Sequence, residues 1–147
     1  MLASAGAGYS RWKQLAVTRW LEDATSDNWG SFCYVRDLAG GSVWSNSRRP
    51  ALRQADSDGA TFLPGVASFQ RSVDDIQMQT EIVVSPQDDV EVRRIRLTNR
   101  SSARRLLAVT SYAEIVLAAA ATDAAHQAFS KLFVETEIVP LVLLTII

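Results

Sequence analysis

The chain has 147 residues, the size of one domain able to bury roughly 70% of its unfolded surface. Fifteen Lys and Arg stand against sixteen Asp and Glu for a formal charge of -1, so no overall field attracts nucleic acid or an acidic membrane. One cysteine and one histidine exclude a disulfide-stapled scaffold and a metal site of nitrogen and sulfur ligands drawn from this chain alone.

The N-terminal stretch is small and apolar but has no basic segment and no continuous apolar core, so it does not read as a signal peptide. A cytoplasmic or cytoplasm-facing location is the default expectation. Glycines at 6 and 8 point to a close backbone approach just before Tyr9, Ser10 and Trp12. Residues 14–23 combine helix formers at their end with β-branched residues in the middle, and periodicity alone does not decide between helix and strand. Strands are expected at 30–36 and 42–45 around the Gly-containing loop 37–41. Cys33 lies in the apolar run Phe32-Cys-Tyr-Val35, where a buried, inert thiol is expected.

A second pair of strands, at 60–63 and 66–71, flanks Pro64-Gly65. From 76 to 84 the alternation is regular: Ile76, Met78, Ile82 and Val84 fall on one face and Gln77, Gln79 and Glu81 on the other. Residues 90–97 alternate in two phases, Val90 and Val92 and then Ile95 and Leu97, which predicts a β-bulge at Arg93-Arg94. The turn formers of 85–89 and 98–103 predict a three-strand antiparallel meander ending in a strand over 104–117. The doublets Asp74-Asp75 and Asp88-Asp89 lack calcium-loop spacing and read as turns. The pairs Arg48-Arg49, Arg93-Arg94 and Arg104-Arg105 read as solvated faces. Alanine-rich 118–125 has helix propensity but is too short to hold a helix alone. The uncharged run 141–147 is too short to cross a bilayer. It reads as a truncated or frameshifted end, or as a buried or partner-facing last strand prone to aggregate if exposed. Short strands separated by turns predict an all-β antiparallel sandwich over 1–140.

Several short words follow one another in a fixed order. They are Gly6-Ala-Gly-Tyr-Ser-Arg-Trp12, Ala16-Val-Thr-Arg-Trp20, Tyr34-Val-Arg-Asp37, Val43-Trp-Ser45, Thr80-Glu-Ile82, Asp88-Asp-Val-Glu91, Thr110-Ser-Tyr-Ala-Glu114 and Ala128-Phe-Ser-Lys-Leu-Phe-Val-Glu-Thr-Glu137. In this order they resemble the β-sandwich domain of the inverting glycoside phosphorylases of cellobiose and chitobiose phosphorylase type, glycosyltransferase family 36. Within that family the likeness is to the cyclic β-1,2-glucan synthase subgroup. The resemblance implies a galactose-mutarotase-like supersandwich and tips 14–23 to strand. It also implies that the chemistry belongs to a helical (α/α)6 barrel C-terminal to the sandwich, with no such barrel in this chain.

The resemblance therefore implies a non-catalytic part of a β-glucan-processing enzyme. It would pack on the missing barrel, shape one rim of a glucan cleft and join subunits as a homodimer. No catalytic residue is assigned, and no metal or organic cofactor is implied. The four tryptophans, with Tyr9 and Tyr34, serve either a sandwich core or sugar stacking. The candidates for binding β-glucan or another oligosaccharide are Tyr9, Ser10, Trp12 and Trp44. His126 and Gln127 join them, standing in a loop that offers an Asn and an Arg to the acceptor site in the disaccharide phosphorylases. The loss of that Arg removes a fixed bidentate donor and agrees with the glucan synthase subgroup. The alternatives are a free-standing carbohydrate-binding or assembly module and an unproductive remnant of a broken gene.

Overall fold

The computed structural model describes residues 1–21 and 29–137. The expectations for the 141–147 tail and for the end of the 14–23 segment lie outside these residues. Among the described residues ten strands form three antiparallel sheets. The strands are β1 (Arg11–Trp12), β2 (Leu15–Thr18), β3 (Phe32–Asp37), β4 (Val43–Ser45), β5 (Ser57–Leu63), β6 (Val66–Val73), β7 (Ile76–Val84), β8 (Glu91–Asn99), β9 (Leu107–Tyr112) and β10 (Ile115–Ala119). Two short helices follow, α1 (Ala120–Ala125) and α2 (Gln127–Ser130), then a 3-10 turn at Lys131–Phe133. The all-β expectation holds.

The largest sheet runs β5-β6-β7-β8. Its turns follow the expected chemistry: Asp74 and Asp75 have φ of 49° and 63°, the left-handed pair that a two-residue hairpin needs and that Asp tolerates. On the inner face Val73, Ile76 and Met78 are buried, as are Phe69 and Ile82 further along. Gln77, Gln79 and Glu81 are half-buried on the other face. Val84, expected on the buried face, is instead exposed at the end of β7.

The sheet β4-β3-β9 covers one half of that face. Cys33, Val35 and Trp44 meet Val73, Ile76 and Met78 in one cluster, with Leu97 and Leu107 at its border. Cys33 is buried and its thiol is pushed up by burial, as expected of an inert thiol. The polar run after Trp44 is also buried. Asn46 exchanges bonds with Cys33, its side-chain oxygen accepting the Cys33 N–H at 2.9 Å and its own N–H donating to the Cys33 carbonyl at 2.8 Å. The other half of the face is covered by the N-terminal segment, Leu2 packing against Ala67, Phe69 and Ile82. Gly6 makes that close: at φ 99°, a Cβ there would lie 2.0 Å from Ser47 Oγ, so only glycine fits.

Two more expectations are corrected. No bulge interrupts β8, whose register on β7 is continuous from Ile76↔Asn99 to Val84↔Glu91. The phase slip is absorbed by turning Arg93 inward beside Ile95 and Leu97. There it donates to the Ser31 carbonyl at 2.8 Å and pairs with Glu91 at 2.6 Å. Val90 and Val92 are left exposed. Nor do β7, β8 and the next strand make a meander. After β8 the chain crosses to the other layer, where β9 pairs with β3. The chain breaks at Ala113 and Glu114, and β10 pairs with β2 in the third sheet, β1-β2-β10. The β2 strand agrees with the strand reading of its segment.

Arg19, just past β2, is 3% exposed and ties this sheet to α1. Its guanidinium grips Asp123 through Nε at 2.8 Å and Nη2 at 2.6 Å, and reaches Glu114 at 2.7 Å. This anchors a helix of six residues, far below the length at which helices hold alone.

Candidate functional site

The β1 segment lies against the hairpin loop that joins β7 to β8, and a cleft of about 450 Å³ opens between them. Tyr9, Ser10, Arg11 and Trp12 line one wall, and Asp88, Asp89 and Glu91 the other. Two bonds set the first wall. The Ser10 N–H donates to Thr18 Oγ1 at 2.9 Å, locking the segment on β2, and the Ser10 hydroxyl donates to Glu91 Oε2 at 2.7 Å, crossing the cleft. Tyr9 is half-buried and stacks at a tilt on Trp20, ring centroids 5.5 Å apart. Trp12 is 40% exposed. Lys13 Nζ lies 4.2 Å from its ring centroid, within cation–π range.

Glu91 is the electrostatic centre of this arrangement. Burial acts to raise its pKa, but the Ser10 hydroxyl and the Arg93 guanidinium outweigh burial and hold it below the usual glutamate value. It is therefore a carboxylate at neutral pH, an acceptor of hydrogen bonds. Acid catalysis of glycosidic cleavage needs a carboxyl whose pKa is raised, the reverse of the shift on Glu91.

An adjoining cleft of about 450 Å³ lies behind Ser10 and Glu91, between the edge strands β8 and β9. Its floor includes Thr80, 1% exposed, whose hydroxyl makes no hydrogen bond. Its walls include Ile95, Tyr112 and Ile115.

Of the candidates read from sequence, Tyr9, Ser10 and Trp12 are brought together in one cleft. Trp44 is 0% exposed in the core, its Nε1 without a hydrogen-bond partner, so its ring has no face to offer a sugar. Its place is dictated by β4, where it faces Val35 across the ladder. His126 and Gln127 are exposed at the junction of α1 and α2 and line neither cleft. Sequence reasoning missed Glu91 as a site residue, because its contact with Ser10 spans 81 positions and leaves no local signal. Among the described residues no group of three or more His, Cys, Asp or Glu is placed to hold a metal ion, and no helix is long and apolar enough to cross a membrane.

Comparison with known proteins gives the same reading as the ordered words. Over 138 residues the chain is 39% identical to the cyclic beta-(1,2)-glucan synthase NdvB of Rhizobium meliloti (strain 1021), a match covering 94% of this chain and 5% of that protein. The chain thus spans a small fraction of the length of this relative. The supersandwich-domain model of glycosyl hydrolase 94 matches residues 1–145. With this match and the antiparallel all-β architecture, the chain belongs to the glycosyl hydrolase 94 supersandwich domain family.

Proposed function

We propose that this chain is a non-catalytic sandwich unit of a β-glucan-acting enzyme of synthase or phosphorylase type. In this reading it packs on a helical barrel outside the chain and shapes one rim of the glucan cleft, in the cytoplasm or at the cytoplasmic face of a membrane. The observation that carries the reading is the gathering of Tyr9, Ser10 and Trp12 with an ionised Glu91 around one cleft. A pyranose has an apolar face and a rim of hydroxyls. The exposed Trp12 ring suits the face, and carboxylates suit the hydroxyls as acceptors. The relative's name makes β-1,2-linked glucan the first ligand to try. The exposed His126 and Gln127 support a second contact, to the acceptor end or to another subunit.

Titration of the chain with β-1,2-gluco-oligosaccharides, followed by calorimetry, tests the cleft. Saturable binding with Kd on the order of millimolar is expected, and Trp12→Ala should abolish it without lowering Tm. In a longer protein that carries the barrel, the same substitution should raise KM. If neither the isolated chain nor the longer protein responds to Trp12→Ala, the cleft has no part in glucan handling. Binding by the isolated chain with no effect of Trp12→Ala in the longer protein would favour a free-standing carbohydrate-binding module.

A further inference from the structure

A third cleft lies at the start of β5 and the end of β6, with Asn46 lining both it and the cleft behind Ser10 and Glu91. Arg71 points from β6 to the inner face, opposite Asp58 on β5 and Met78 on β7. It is 2% exposed. Its Nη2 donates to the Arg53 carbonyl, while Nε and Nη1 have no hydrogen-bond partner. Asp58 Oδ2 is 3.7 Å from Nη1, near enough to attract and too far to accept a hydrogen bond. Asp58 is itself 49% exposed. A buried guanidinium left with unused donors is destabilising, and buried charges are normally paired. Two further features aggravate this one. Burial lowers the pKa of Arg71, and the nearby positive charge of Arg48 lowers it further against the pull of Asp58. Arg71, Arg48, Asn46 and Ser47 line a cleft of about 220 Å³ open to solvent, against about 30 Å³ for one water in the liquid. Asp58 lines the same cleft but stands too far off to accept from the two idle donors of Arg71, so what they lack is an acceptor within hydrogen-bond reach.

We propose that this cleft binds an oxyanion, the chemistry of a carboxylate or of a phosphate group, held between Arg71 and Arg48 with Asp58 swung aside. The ligand supplies acceptors for the idle N–H groups of Arg71 and relieves the repulsion between the two guanidinium groups. Asp58 competes for the same donors, so its removal should strengthen the site.

The test is thermal unfolding of the 147-residue chain titrated with inorganic phosphate, acetate or chloride at fixed ionic strength. A saturable rise in Tm with phosphate or acetate, absent with chloride, is expected. Arg48→Gln, a change at an exposed residue, should weaken the half-saturation point by about tenfold or more, and Asp58→Asn should lower it. Saturation by acetate alone assigns the site to a carboxylate source, such as an acidic side chain of another segment, saturation by phosphate alone assigns it to a phosphorylated ligand, and saturation by both supports an oxyanion site that takes either. Equal effects of all three salts would overturn the proposal. So would half-saturation unchanged in both variants, with Asp58→Asn merely destabilising the chain, since Arg71 would then be only the ion-pair partner of Asp58.

Discussion

Trp12 and Trp44 show how one residue type takes opposite tasks thirty-two positions apart. Trp44 sits at the centre of the cluster made with Val35, Ile76 and Met78, so truncation removes a large apolar volume and leaves a cavity. Trp44→Ala should lower unfolding free energy by about 3–5 kcal/mol, enough to unfold much of a marginal domain. Trp12→Ala should change it by less than about 0.5 kcal/mol; urea denaturation of the two variants makes the comparison. Asp37 offers a second prediction at this scale. The Ala39 N–H at 2.9 Å and Arg105 at 2.6 Å hold its carboxyl below the ordinary value against the opposing effect of burial. A lowered folded pKa adds stability that is present in full above the unfolded value, about 4. That stability is lost as pH falls through the folded value. The stability gap between wild type and Asp37→Asn should therefore be constant near neutrality and shrink below about pH 4. A gap independent of pH down to about 2 would mean that the charge of Asp37 contributes nothing.

At the level of elements, α1 depends on one ion cluster. Asp123 meets Arg19 across 104 positions, and Glu114 joins from the segment between β9 and β10. Removing Asp123 takes away the buried partner of Arg19 and leaves the guanidinium with the more exposed Glu114 alone. Asp123→Asn should destabilise by about 3–5 kcal/mol, while Arg19→Met with Asp123→Leu should recover much of that loss. Equal losses in the single and double variants, measured by urea denaturation, would mean that the cluster is not coupled. Local patterns in the sequence made β3 to β7 legible, since period-two alternation and Gly, Pro or Asp turns are written within ten residues of each other. The same logic failed at β8 and β9. A phase slip reads equally as a bulge or as an inward arginine, and only the long-range partner of Arg93, the Ser31 carbonyl, decides between them. The Tyr9–Trp12 wall was legible through its glycines. Glu91, Arg71 and the Arg19 cluster were not, because ion pairs and hydrogen bonds between distant segments have no sequence period.

For the whole molecule, the crossing from β8 to β9 leaves two sheet edges side by side. β8 pairs only with β7 and β9 only with β3 among the described strands. Such edges carry unsatisfied N–H and C=O groups that invite another strand. Here they are also apolar: Val92 is 55% exposed on β8 and Val109 51% on β9. Arg94 and Arg96 give β8 some charged protection, whereas the exposed side chains of Val109 and Tyr112 give β9 none. The isolated chain should therefore associate through β9 before β8. Val109→Lys should delay the rise of light scattering with protein concentration more than Val92→Lys does, and neither change should lower Tm by more than a few degrees. Equal delays would place the association elsewhere on the surface. An exposed apolar edge invites cover by another strand, and under the proposal that this unit belongs to a longer enzyme the cover would come from the same polypeptide. A longer fragment of such a protein should then scatter less than the 147-residue chain at equal concentration, and the benefit of Val109→Lys should vanish in it.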